Sequence, residues 1–202
     1  MRTDIYLTLA KPSEQVLFKD RGSKFYGYAF PVAVKEEIKP IIEELRAKHV
    51  SANHFCYAWQ LGVEDPTYRA NDDGEPNNSA GMPIYGQIQA ANLTNVLIVV
   101  VRIFGGTKLG VGGLIQAYRE TAKLAIGNSV QVKKVVKVRF QINFEYPMMN
   151  QVMRIIKQKE LQIVAQHMEL QCKITVLVRK RMAHNIEGYF ESLSKVQVKE
   201  LG

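Results

Sequence analysis

The segment "RIFGGTKLGVGG", residues 102–113, places five glycines, one arginine and one lysine directly after the apolar run "NVLIVVV". Glycine has no Cβ, so a glycine-rich turn between a strand and a helix leaves backbone N–H groups accessible near the positive end of the helix dipole. This pattern predicts an anion site with phosphate as its natural ligand. Its residues are Arg102, Gly105, Gly106, Lys108, Gly110, Gly112 and Gly113. The alternative is a tight turn whose glycines serve only the packing of strand against helix.

Known phosphate loops do not describe this segment. Counted from Gly105, the nucleotide-triphosphate motif requires a lysine where Val111 stands, and counted from Gly110, the dinucleotide motif requires a glycine where Ile115 stands. Arg102 closes an apolar run, so its charge needs an anionic or acidic partner if the strand is buried.

An acidic stretch, "NDDGEP" at residues 71–76, suggests a second kind of chemistry. Carboxylates can hold Mg²⁺ while cations bind a phosphoryl group, which would allow metal-assisted phosphoester hydrolysis. The candidate residues for that function are His54, Asp72, Asp73 and Glu75. An ordinary turn around Gly74 is the structural alternative. Because no nucleophile elbow or HExxH motif is present, we assign no catalytic residue, no metal site and no cofactor, and favour a non-enzymatic function.

Hydrophobic periodicity indicates the elements that must position these residues. It predicts a helix over 36–49, a strand over 53–62, a long loop over 63–83, a fully buried strand over 96–101 and a helix over 114–127. From residue 131 the order of elements becomes βαββαβ, which is that of a ferredoxin-like domain. The sequence therefore predicts an α+β protein with domains at 1–130 and 131–202.

Charge is distributed unevenly between these two parts. The 202 residues carry a net charge of +8, and residues 131–202 hold 13 Lys and Arg against 6 Asp and Glu. This excess favours a polyanionic partner such as RNA, with a solvated basic surface as the alternative. No apolar run is long enough to span a membrane and no secretory signal is visible, so we expect a cytoplasmic protein. Cys56 and Cys172 lack metal or disulfide spacing and are expected to be buried thiols.

Four motifs carry a resemblance to a known family. They are "DRGSKFYGYAFPV" at 20–32, "HFCYAW" at 54–59, "DDGEPNNSAGMP" at 72–83 and "VVVRIFGGTKLGVGGLIQAY" at 99–118. Together they resemble the YigZ/IMPACT family. Two positions depart from the family pattern: Ile103 replaces a second aromatic residue, and "NNSAG" replaces a commoner Ser-Gly-Thr-Ala-Gly.

The resemblance implies a fold and a class of function. It implies a first domain like ribosomal protein S5 domain 2 and a ferredoxin-like second domain, and it brings translation regulation into consideration. We therefore predict a non-enzymatic modulator of translation that binds RNA or the ribosome. A regulatory protein is a second candidate partner, and no membrane partner is expected. Arg21 and Lys24 of the first motif are expected to share a cleft with the glycine loop if the two segments meet. The alternatives are the metal-dependent phosphoesterase or nuclease and a purely protein-binding module.

Overall fold

The computed structural model describes residues 4–201. They divide into two compact units, a larger one of residues 6–134 and a smaller one of residues 135–201 together with residues 4 and 5. The fold is mixed α+β, which confirms that part of the prediction. Within the described chain, no helix is both long and apolar enough to cross a bilayer.

Seven strands and three helices lie in the larger unit, except for the first residue of β1 and the last residue of β7. The strands are β1 (Ile5–Leu9), β2 (Val16–Asp20), β3 (Ser23–Pro31), β4 (His54–Leu61), β5 (Thr67–Asn71), β6 (Val96–Ile103) and β7 (Gln131–Val135). The helices are α1 (Ile38–Lys48), α2 (Gly81–Ala90) and α3 (Gly110–Gly127). Strands β1 and β7 pair separately, and the other five form an antiparallel sheet in the order β2-β3-β6-β4-β5.

The central strand β6 is buried on both faces, as its uninterrupted apolar run predicts. Alternate side chains enter two different cores because successive residues of a strand point to opposite faces. Val96, Ile98 and Val100 pack with residues of α2 and α3, whereas Leu97, Val99 and Val101 pack with residues of α1. The sheet is therefore covered by α1 on one face and by α2 and α3 on the other.

Two predicted boundaries in this unit are wrong. Residues 63–83 are not one long loop, because they contain β5 and the first turn of α2. Helix α3 begins at Gly110, four residues before the predicted start at Leu114, so the last three glycines of the glycine-rich segment are helical. Its inward face buries Leu114, Tyr118, Ala122, Ala125 and Ile126.

The smaller unit contains β8 (Lys137–Glu145), α4 (Met149–Gln158), β9 (Gln162–His167), β10 (Gln171–Arg179), α5 (Ile186–Phe190) and β11 (Val196–Leu201). This is the βαββαβ order that the sequence pattern predicts. Helix α5 has only five residues and follows a 3₁₀ segment at Lys180–Asn185. The strands form an antiparallel sheet in the order β11-β8-β10-β9. Its core joins the sheet to the helices through Phe140, Ile142, Phe144, Val152, Ile156, Ile174, Val176, Ile186 and Phe190.

Candidate functional site

The glycine loop, residues 104–109, connects the end of β6 to the start of α3. Gly106 and Gly110 have φ angles of +88° and +73°, which residues other than glycine rarely adopt. Gly105 is required for a different reason. A Cβ at Gly105 would lie 1.9 Å from the carbonyl carbon of Gly22, so the two backbones approach too closely for any side chain.

The turn between β2 and β3 therefore lies directly against the glycine loop. The backbone N–H of Gly105 donates a hydrogen bond to the Ser23 hydroxyl over 3.2 Å. Arg21 precedes this contact and Lys24 follows it, and both are exposed. The two segments that the sequence analysis left unconnected thus meet in the fold. The exposed cations of Arg21, Lys24 and Lys108 therefore belong to two segments that lie against each other.

The N-terminus of α3 opens next to the loop. Leu109 precedes the helix, and its apolar side chain cannot accept hydrogen bonds from the first N–H groups of α3. The first turn of α3 contains no acidic residue. A Cβ at Gly112 would meet no atom within 4 Å, whereas one at Gly113 would lie 3.0 Å from the Leu109 Cβ. The first turn of α3 is therefore open at Gly112 and packed at Gly113.

Arg102 lies below the loop and has the acidic partner that its position requires. The side chain of Arg102 is almost fully buried, and its Nη1 donates to Glu75 Oε1 over 2.6 Å. Its Nη2 lies 3.5 Å from the Ser23 hydroxyl, and within residues 4–201 its buried Nε has no hydrogen-bond partner. The guanidinium also contacts the rings of Phe25 and Phe104 at 5.5 and 5.4 Å. Arg102 therefore stabilises the glycine loop from the buried side, through Ser23 and Phe104.

Glu75 is the centre of a buried polar network. Besides Arg102, its Oε1 accepts a hydrogen bond from the Tyr118 hydroxyl over 2.7 Å, and His54 Nε2 lies 3.9 Å away. The Cys56 thiol lies 3.3 Å from the same hydroxyl. Burial raises the pKa of both Cys56 and Tyr118, so the thiol and the phenol stay protonated at neutral pH. Neither group is activated as a nucleophile.

The two aspartates of the acidic loop are bonded to the backbone. Asp72 accepts hydrogen bonds from the N–H groups of Asn78, Ala80 and Gly81 at 2.8–2.9 Å, and so caps the start of α2. Asp73 has a φ of +40° and accepts from the Phe55 N–H over 2.7 Å. It also pairs with Arg46 at 2.9 and 3.0 Å.

The four candidate residues for metal-assisted hydrolysis lie near one another, but each is hydrogen-bonded to a different group of the protein. Asp72 caps a helix, Asp73 binds Arg46 and Glu75 binds Arg102, while His54 Nδ1 donates to the Asp73 carbonyl over 2.8 Å. Among residues 4–201, no three His, Cys, Asp or Glu side chains are arranged to hold a metal ion.

Sequence reasoning missed the residues that connect these groups. Tyr118, Ser23 and Arg46 were given no function. Their partners lie 27 to 82 positions away along the chain, so local spacing gives no signal for them. The polar hydroxyl of a tyrosine on an otherwise apolar helix face was the one available indication.

The smaller unit has a second basic feature. The residues of β8, β10 and β11 that alternate with the core residues lie on the sheet face opposite the helices. We call this the basic sheet face, and its cations are Lys137, Arg139, Lys173, Arg179 and Lys199. Arg179 is paired with Asp4 at 2.7 Å, and the other four are exposed.

Comparison with known proteins identifies the family. The model of the Impact N-terminal domain matches residues 21–126, which include the turn at Arg21, the acidic loop, the glycine loop and α3. The chain belongs to the YigZ/IMPACT family. The resemblance inferred from the four motifs is therefore confirmed.

Individual IMPACT relatives match over much of their length. IMPACT family member YvyE of Bacillus subtilis is 25% identical over 197 residues, which cover 96% of this chain and 90% of the relative. An IMPACT family member of Thermus thermophilus, named for the pol 5′ region, is 35% identical over 140 residues, covering 69% of this chain and 75% of the relative. A crystal structure of a hypothetical protein aligns over 98% of both chains with a TM-score of 0.76 and 24% identity. That likeness shows a shared fold.

Proposed function

We propose that this IMPACT protein is a cytoplasmic, non-enzymatic modulator of translation that binds RNA or the ribosome through phosphate groups. The observation that carries the proposal is the meeting of the β2–β3 turn with the glycine loop beside the open N-terminus of α3. The proposed anion site consists of Arg21, Lys108 and the backbone of the glycine-rich segment. Lys24 alternates with Ser23 and Phe25 along β3, so its side chain lies on the α1 face of the sheet. Translation as the process is supported by what the family resemblance implies.

The chemistry of this site favours phosphate over a neutral ligand. Phosphate oxygens accept hydrogen bonds from backbone N–H groups at a helix N-terminus, where the helix dipole also favours negative charge. Gly112 leaves room for such an approach, and Lys108 and Arg21 are exposed nearby. Arg102 holds the loop in place from below through Ser23, which also accepts from the Gly105 N–H. Buried side chains thus keep the exposed backbone in a fixed conformation.

The basic sheet face supports a polyanionic partner rather than a single phosphate ion. Cations on neighbouring strands lie at the spacing of the sheet, so several phosphates of an extended strand can be bound at once. Lys173 pairs in register with Asn143, and Lys199 with Gln141, so polar groups lie beside the cations. We further propose that the smaller unit is a ferredoxin-like domain and the larger one an S5 domain 2-like domain, with the boundary near residue 130. The βαββαβ order of the smaller unit supports the first assignment.

A non-enzymatic function is favoured by the way the polar groups are used. Each carboxylate that hydrolysis would require already forms structural hydrogen bonds or an ion pair, and the buried thiol and phenol are protonated. The hypothesis of a phosphoesterase or nuclease would need Asp72 to leave its helix cap or Glu75 to leave Arg102.

The experiment measures binding of the full chain to a labelled single-stranded RNA by fluorescence anisotropy over a range of salt concentrations. The test variant carries Arg21→Gln and Lys108→Gln. Its matched control carries Arg119→Gln and Lys123→Gln, which remove the same charges from the exposed side of α3. We expect the test variant to lower the salt slope by about one unit for each phosphate that it no longer neutralises, and the control to change the slope much less.

Equal slopes for the two variants would contradict the anion site. No RNA binding by the unmodified chain at low salt would contradict the RNA proposal and favour a purely protein-binding module.

A further inference from the structure

A cavity of about 520 Å³ lies between α1 and the edge strand β5 of the larger unit. It is on the α1 face of the sheet, whereas α3 lies on the other face, so it is separate from the anion site. Its floor consists of Tyr57 and Trp59, and Ile38 and Ile42 of α1 form its apolar wall. The volume lies within the range of about 300–1,000 Å³ that small-molecule sites usually occupy.

The sheet register explains why this cavity exists. Trp59 pairs with Arg69 and Tyr57 pairs with Asn71, so these four side chains share one face of β4 and β5. Helix α1 packs on this face against residues of β3, β4 and β6. Among the described residues, the hydrophobic core beneath α1 includes no residue of β5. A cleft therefore remains beside α1, with aromatic rings at its base.

Positive charge in the cavity exceeds negative charge. Two of its four cations have carboxylate partners there, since Arg46 binds Asp73 at 2.9 Å and Lys39 lies 3.7 Å from Glu43. The other two are Lys35 and Arg69, and among the described residues that line the cavity no carboxylate pairs with either.

Lys35 lies over part of the aromatic floor. Its ammonium lies 5.4 Å from the centre of the Trp59 ring, and Trp59 is only 6% exposed. The Lys35 side chain is itself exposed and long, so it can move aside and keep its charge near the cavity. A flat ligand ring would then lie on Trp59 and Tyr57 while Lys35 pairs with an anionic group of the same ligand.

We propose that this cavity binds a free nucleoside monophosphate, with its base on Tyr57 and Trp59 and its phosphate held by Arg69 and Lys35. A planar base provides the face that aromatic side chains stack against. The Arg69 guanidinium is suited to bidentate contact with phosphate oxygens. A ring and an anion joined in one small molecule match both halves of the cavity. The proposal does not rest on RNA binding at the glycine loop.

The single tryptophan of the chain, Trp59, provides a direct reporter. Fluorescence and titration calorimetry of the full chain with AMP, GMP, CMP and UMP should show saturable binding of at least one of them with a change in Trp59 emission. Adenosine, ribose 5-phosphate and inorganic phosphate each supply only part of this chemistry. We expect each of them to bind at least about tenfold more weakly than the best nucleotide.

Two variants test the assigned contacts. Arg69→Gln and Lys35→Gln should each weaken nucleotide binding by about tenfold, because each removes one charged partner of the phosphate. Arg119→Gln, which removes a cation from the exposed side of α3, should leave the affinity unchanged.

Three results would overturn the proposal. They are no saturable binding of any nucleotide at millimolar concentration, binding unchanged by both cavity variants, or binding only of a short RNA or an acidic aromatic peptide. The anisotropy experiment compares the Arg21 and Lys108 variant with a matched control on α3, and neither variant changes a cavity residue. Failure of this site and failure of the RNA proposal are therefore distinguishable.

Discussion

The ion pair of Glu75 and Arg102 should make a large contribution to the stability of the larger unit. Both side chains are about 5% exposed, and their charged atoms lie 2.6 Å apart. Glu75→Gln keeps the size of the side chain and an oxygen for Tyr118, but leaves the buried guanidinium without its counter-charge. Removing one partner of a buried pair costs about 3–5 kcal/mol. For a unit of this size, that corresponds to a fall of roughly 11–18 °C in Tm.

Urea unfolding followed by Trp59 fluorescence measures this loss, because the only tryptophan lies in the larger unit. Adding Arg102→Met to Glu75→Gln removes the unpaired buried charge. The double variant should therefore be about 2 kcal/mol more stable than the sum of the two single effects predicts. Glu43→Gln, which breaks an exposed pair with Lys39, is the control and should cost less than about 0.5 kcal/mol. A loss below about 1 kcal/mol for Glu75→Gln, or strictly additive effects, would refute this account of the network.

Three further predictions follow from individual contacts. Gly105→Ala should lower the free energy of unfolding in urea by about 2 kcal/mol or more, because its Cβ would lie 1.9 Å from a backbone atom of Gly22. Gly112→Ala, in open space on α3, should be neutral or stabilising by up to about 1 kcal/mol. Equal effects of the two substitutions would contradict the assigned packing. Asp72→Ala should cost about 1–2 kcal/mol because the α2 cap is removed, and Asp72→Asn less, measured by thermal circular dichroism; no difference would contradict the cap. The hydrogen bond from Arg179 holds the pKa of Asp4 below its usual 3.8, so their pair stabilises above that pH and this stabilisation disappears as the pH falls below it. Arg179→Gln should therefore lower Tm at neutral pH and have little effect at about pH 2, and a pH-independent effect would contradict the pairing.

Hydrophobic periodicity predicted most helices and strands, because an element that buries one face carries apolar residues at the period of that face. Strand β6 is buried on both faces and therefore shows an uninterrupted apolar run. The βαββαβ order of the smaller unit is visible for the same reason, since each of its strands and α4 buries one side against a shared core.

The errors occurred where burial leaves no periodic pattern. Strand β5 is an edge strand with its first three residues exposed, so "TYRAN" lacks apolar alternation. Helix α2 begins with Gly81 and contains Pro83 and Gly86, which together resemble a loop. Its cap, Asp72, lies eight and nine positions before the N–H groups that it binds, far outside the usual N-cap spacing.

The candidate site was predictable as a set of residue types but not as an arrangement. The glycine-rich segment and its cations stand out in the sequence because their composition is unusual between a strand and a helix. The partner of Arg102 is 27 positions away, and Gly22 meets Gly105 only because β3 pairs with β6. Such long-range contacts depend on strand order, which local patterns do not encode.

Amide chemical shifts of the full chain, measured during titration with a short single-stranded RNA, test the central claim most directly. If phosphate binds the first turn of α3, the N–H signals of Gly110 and Gly112 will shift in a saturable way, with those of Arg21 and Lys108. The signal of Gly127, at the other end of the same helix, will move little. Saturable RNA binding that leaves the Gly110 and Gly112 signals in place would contradict the account, and the glycines would then serve packing alone.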